Sequence, residues 1–178
     1  MKIFIYLILF ISFTAISEEH HHQHDHKQQQ KTLKAHEHGV SVLNIVQASN
    51  TISFEFEMPG FDIVGFEYKA KAKKDIKKVK NALNILSNFE NMVVLPQLGE
   101  CKEEKNNASV INEGSHSEFL SEYIFKCKNL SNINQIEIKF LKSFKYSKKL
   151  IINLISDNNK SSQTIDKSNA TINVEGYF

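Results

Sequence analysis

Between Thr51 and Pro59 the side chains alternate without a break: Ile52, Phe54, Phe56 and Met58 point one way, and Ser53, Glu55 and Glu57 the other. A period of two is the signature of a β-strand with one buried face. Pro59-Gly60 ends it. Just upstream, residues 38–47 carry Val40, Val42 and Val46 on one face with Leu43 and Ile45 opposite, and Ala48-Ser49-Asn50 supplies a turn. An antiparallel hairpin is therefore expected, and it needs a second layer to cover its apolar face.

The rest of the chain supplies that layer. One amphipathic helix is expected over about residues 70–91, with Ile76, Val79, Leu83 and Leu86 as a core-facing stripe widened by Ala82, Ile85 and Phe89. Seven lysines lie from Lys69 to Lys80, and they read as the solvated face of that helix. A strand after Pro96 carries Cys101, and residues 103–114 are polar enough to read as a loop. Alternation returns after His116, where Phe119, Tyr123, Phe125 and Cys127 share a face with Ser121. Further strands are expected at Ile136-Ile138-Phe140, Leu150-Ile152-Leu154 and around Ile172-Val174, with a short helical turn somewhere in residues 142–148. The expected fold class is mainly β (α+β): an antiparallel, sandwich-like domain over residues 36–178 with one main helix.

Two segments precede it. Lys2 followed by the short apolar run Ile3 to Phe13 and the small residues Ala15 and Ser17 reads as a secretory signal peptide over residues 1–17, too short an apolar stretch to span a bilayer. Retention as an uncleaved anchor is the competing reading. No Cys stands just after the expected cut, so no lipid attachment is expected there. Residues 18–35 have one large apolar side chain, Leu33, and too little surface to bury against the entropy of ordering; a disordered arm is expected. Export places the protein in the periplasm, with no stable membrane insertion after cleavage. There a lone pair of cysteines, Cys101 and Cys127, is most simply a disulfide, the alternative being two thiolate zinc ligands. Lysines and acids nearly cancel, 22 against 20 for a net charge of +2, so nothing marks a nucleic-acid binder.

The histidines carry the functional signal. His20, His21, His22, His24 and His26 fall within seven residues of the arm. Unperturbed imidazole titrates near 6.5, so at neutral pH such a cluster offers mostly neutral nitrogen donors, which suit Zn²⁺, Ni²⁺ and Cu²⁺. A flexible arm that must be ordered around each ion suits scavenging or buffering rather than one sharp site. A low-complexity tract without function, or a purification tag, is the bland alternative, although Gln23 and Asp25 interrupt the run. Separately, His36-Glu37-His38 places two imidazoles on one face of an extended segment, and His116 opens a later strand. Convergence of His36, His38 and His116 gives three of the four ligands zinc usually takes, with Glu37 and Glu118 as outer partners.

The segments Ala35-His36-Glu37-His38-Gly39, Asp62-Ile63-Val64-Gly65-Phe66-Glu67-Tyr68 and His116-Ser117-Glu118-Phe119, followed by Tyr123, Phe125 and Cys127, occur in an order that resembles the ZrgA-like periplasmic zinc-uptake family. The family pattern has Ala-His-x-His-Gly, Asn-Leu-x-Gly-Phe-Glu-His and His-x-x-Phe at these places; this chain departs from it at Tyr68, where the family has His. The resemblance implies zinc binding, expression tied to zinc shortage, and cooperation with a zinc ABC importer or its solute-binding protein. It strengthens the His36, His38 and His116 set. The chain has neither the His-Glu-x-x-His helix of metalloproteases nor a Gly-x-Ser-x-Gly elbow, so the expectation is a binding protein, not an enzyme. The alternatives are a periplasmic buffer or detoxifier of nickel, cobalt or copper and, less favoured, a zinc hydrolase.

Overall fold

The computed structural model describes residues 37–178. The expected signal peptide, the arm and His36 lie outside them. The hairpin forms as its alternation requires: β1 (Val40–Ala48) and β2 (Thr51–Pro59) pair antiparallel from Val42↔Glu57 to Ala48↔Thr51. Ser49 takes the turn at φ 52°. Ile52, Phe54, Phe56 and Met58 are fully buried, and on β1 the inward set is Ser41, Leu43 and Ile45.

After β2 come α1 (Gly60–Val64), α2 (Lys73–Leu86), β3 (Val93–Val94), β4 (Cys101–Glu113), β5 (His116–Cys127), β6 (Gln135–Ile138), α3 (Phe140–Ser143), β7 (Lys149–Ile155), β8 (Lys160–Asp166) and β9 (Thr171–Asn173). Six strands make one sheet in the order β4-β5-β2-β1-β7-β8, and β3-β6-β9 make a second, smaller one. Among the described residues every pairing is antiparallel except β1 with β7, which is parallel; of the smaller sheet only β6, followed by α3, lies in the connection between β5 and β7. The core fills the space between the inner face of the large sheet and a cover of α2, the 3-10 turn Phe89–Asn91, the small sheet and α3. Phe54 meets Phe89 with ring centroids 5.0 Å apart, and Phe56 meets Phe140 at 5.5 Å. The buried Tyr123 hydroxyl donates to the Leu86 carbonyl at the end of α2, and burial pushes its pKa up to about 12.

Several expectations need correction. Residues 103–114 are not a loop: they belong to β4, a long edge strand paired with β5 from Cys101↔Cys127 to Glu113↔His116. Most of its side chains face solvent, so no apolar alternation marks it. Its charged residues and the register shift between Glu103 and Lys105 suit an edge that must not recruit another chain. The main helix is shorter than residues 70–91, and its buried stripe opens on Asp75, not Ile76, which is half exposed. The last helical turn, Phe140–Ser143, begins before the expected residues 142–148 and overlaps them only at Lys142 and Ser143, and the strand ahead of it ends at Ile138. β8, a polar edge strand, had no sequence expectation at all. Cys127 points inward as its phase requires and is bonded to Cys101, its register partner. Among the described residues no helix is long and apolar enough to cross a membrane.

Candidate metal centre

One end of the large sheet gathers the start of β1, the end of β2 and the start of β5, because β1 and β5 both run antiparallel to β2. His38 sits two residues before β1, and His116 is the first residue of β5. Between them in sequence, α1 leaves the end of β2 and is stopped by Gly65. That residue adopts φ 83° and donates its N–H to the Phe61 carbonyl at 2.9 Å. A side chain at residue 65 would be strained at this φ, and its Cβ would come within 2.8 Å of the Tyr146 ring. The reversal carries the chain straight into Phe66-Glu67-Tyr68.

Glu67 is the outcome of that path. Its Oε1 lies 3.0 Å from His38 Nε2 and its Oε2 lies 2.7 Å from His116 Nδ1. The carboxylate side chain is mostly buried, 14% exposed, while the two imidazoles are 54% and 61% exposed. Oε1 is shut away from solvent and has no aligned hydrogen bond despite the nearby imidazole. A buried carboxylate oxygen with a spare lone pair, facing an imidazole nitrogen, could share that lone pair with a cation. Two imidazoles and a carboxylate are ligands zinc takes readily. Among the described residues, however, no three His, Cys, Asp or Glu side chains already form a group that could hold a metal ion. The three are in contact with one another, each imidazole with its own carboxylate oxygen. An ion entering here must replace those contacts with bonds to itself.

Two supports fix His38. Its ring stacks on Phe61, centroids 4.6 Å apart and planes 13° from parallel, and Phe61 rests on Tyr146 at 5.6 Å. Behind it, Gly39 (φ 89°) donates its N–H to Asp62 Oδ1 at 2.6 Å, and Ser41 Oγ donates to Asp62 Oδ2 at 2.9 Å. Asp62 thus ties the turn that presents His38 to the helix that presents Glu67.

The Asp62 carboxyl is fully buried, and burial raises its pKa against the opposing hydrogen bonds from Gly39, Ser41 and Ser147 and the charge of His38. A carboxyl raised on folding holds its proton more tightly folded than unfolded. It therefore adds stability as pH falls toward the ordinary carboxylate value and withdraws it as pH rises through the folded pKa. Asn keeps an acceptor for Gly39 and offers an N–H to Ser41. Asp62→Asn is expected to fold at neutral pH with stability equal to or above the parent, and to lose that acid-side gain. Asp62→Ala is expected to cost roughly 1–3 kcal/mol, because the Gly39 N–H is left without an acceptor. Urea unfolding across the acid range checks both; an Asn variant with the parent's pH profile contradicts the first.

Of the sequence-derived ligands, His38 and His116 are brought to one carboxylate. His36 and the arm histidines His20, His21, His22, His24 and His26 lie outside the described residues. Glu37 is exposed and closes the turn through its carbonyl, which accepts from Val40 N–H; Glu118 is buried in β5 across from Pro59. Glu67 was not among the residues expected at this cluster: its only sequence mark is its place in the Gly65-Phe66-Glu67 run. Tyr68, at the position where the resembling pattern has His, turns away from this cluster and donates its hydroxyl to Asp75 at 3.0 Å.

A family model described as "ZrgA family zinc uptake protein" matches residues 35–174, a span that takes in His36, His38, Glu67 and His116 and leaves out the five clustered histidines of residues 20–26. No curated protein matches the chain. The chain belongs to the ZrgA family of zinc uptake proteins.

Proposed function

We propose that this protein is a periplasmic zinc-binding accessory protein that captures zinc and assists its uptake through an ABC importer, directly or through the importer's solute-binding protein. The observation that carries the reading is Glu67, one carboxylate shared by two imidazoles that come from segments far apart in sequence and meet at one end of the large sheet. His38 Nε2, His116 Nδ1 and Glu67 supply three donors. His36, two residues before His38, is the fourth candidate, or the position stays open to water. Cysteine plays no part, since both cysteines are used in the disulfide.

The chemistry suits transfer rather than storage. The imidazoles are more than half exposed, so an incoming ligand can reach the ion and displace one donor at a time, while the buried carboxylate holds it in place. The arm histidines His20, His21, His22, His24 and His26 serve as a loose collector. Tethered ten to sixteen residues before His36 in sequence, they would raise the effective concentration of ions available to the ordered donors. The role is binding and delivery, with no catalytic step.

Calorimetric titration of zinc into the chain without residues 1–17, and into a version that also lacks residues 18–34, tests this. The shorter protein is expected to keep one tight site and to lose only weaker, variable binding. Complete loss on removing residues 18–34 assigns all binding to the arm and removes the folded site from the mechanism.

A further inference from the structure

On α2, Ile76 stands outside the buried stripe. Ile76 is 50% exposed and Tyr68, just before the helix, 53%. With Phe66, Val79 and Phe119 they line a cavity of about 210 Å³, large enough for one apolar side chain, between the start of α2 and the β4–β5 strands. Asn112 and Ser117 complete its lining, the buried Ser117 Oγ lying against Gly60.

The rim is cationic. Lys69 lines the cavity, and Lys73 and Lys80 lie three residues before and four after Ile76, on the same side of the helix. Lys71, Lys74, Lys77 and Lys78 are exposed around them. The one acid in this stretch, Asp75, is buried and accepts from the Tyr68 hydroxyl. None of the ion pairs among the described residues uses these lysines. The chain as a whole is nearly neutral, so the concentration of charge beside an apolar groove is local.

We propose that this groove docks an acidic protein segment that inserts one apolar side chain between Tyr68 and Ile76 while its carboxylates meet Lys69, Lys73 and Lys80. Charge complementarity selects the sign of the partner. The concave, single-residue size of the cavity selects a polypeptide over a lipid surface. The site is set back to back with the metal centre: Phe66 and Tyr68 face the groove, and Glu67 between them faces His38 and His116. A partner seated here stands one residue from the carboxylate that holds zinc. That last point rests on the zinc-transfer reading; the docking itself does not.

The probe is a fluorescein-labelled Asp/Glu peptide with one central Leu, followed by anisotropy against the full chain without residues 1–17. Binding is expected to weaken steeply with salt, to fall about tenfold in Lys73→Glu/Lys80→Glu, and to fall severalfold in Ile76→Ser. All three positions are exposed, so the variants fold, and zinc titration of each is expected to match the parent. Glu67→Gln, conversely, is expected to bind the peptide as the parent does even where zinc binding is lost, which separates failure of this surface from failure of the zinc reading. The proposal is overturned by peptide binding that ignores these substitutions, or by a peptide with Ser in place of Leu binding equally well. Phosphatidylglycerol vesicles outcompeting the peptide, or sedimentation showing a dimer that Ile76→Ser dissolves, would overturn it too, since the groove would then belong to a membrane or a second copy.

Discussion

Glu67→Gln, made in the protein lacking residues 18–34 so that the arm cannot mask the result, lowers zinc affinity by about a hundredfold, equivalent to about 2.7 kcal/mol. The amide has the size and shape of the carboxylate, so the packing of a side chain that is only 14% exposed is preserved. What disappears is the negative charge and one strong oxygen donor, and an N–H now faces the ion. His38→Gln and His116→Gln are expected to reach a similar loss. The combination carries the more discriminating information. If the three side chains bind a common ion, the second substitution adds much less than the first, because the site is already broken; independent sites would add in full. Thermal unfolding without zinc is expected to change little for the two exposed histidines. An isotherm for Glu67→Gln that overlays the parent's removes the carboxylate from the site.

That site was only partly legible in the sequence. His38 and His116 stood out because histidine is scarce outside the arm, and a residue type that binds metal needs no fold to be noticed. Glu67 had no such mark: it is one of many acids, and its role comes from Gly65 turning the chain at the end of α1, which places residue 67 between two strands whose starts lie at one end of the sheet. The same division runs through the fold. Strand β2 was readable because one of its faces is buried and the other wet, so solvent contrast is written into alternate residues. Strand β4 was not, because it is held by backbone hydrogen bonds to β5 while most of its side chains face water, and hydrogen bonding leaves no trace in side-chain polarity. The parallel pairing of β1 with β7 depends on a long connection, which local pattern does not encode. Helix α2 shows how the stripe rule fails at a helix end. Its periodicity is real, but the phase near the start is set by Asp75 turning in to meet Tyr68, which leaves Ile76 outside.

Replacing both cysteines, Cys101→Ser/Cys127→Ser, is expected to cost about 3.5 kcal/mol of folding stability on the chain-entropy account, from a loop whose ends are 26 residues apart. Urea unfolding measures it as a lower midpoint with a small change in slope, since the unfolded chain is freed as well. The loss is not spread evenly. Cys101 is the first residue of edge strand β4, whose only strand partner among the described residues is β5, whereas β5 is also held by β2 from Glu118 to Lys126. Amide hydrogen exchange is therefore expected to quicken in β4, beginning near Lys102, and to change much less in β5. The metal centre is expected to survive in the folded fraction. His116 and Cys127 are the two ends of β5, and eleven residue steps of extended strand put them roughly 35 Å apart. The rival assignment of the cysteines, as thiolate zinc ligands, predicts the reverse: zinc binding falls with the double substitution even under conditions where the variant is fully folded. A variant that is less stable, frays at β4 and still takes up zinc separates the bond that holds the scaffold together from the donors at the other end of the sheet.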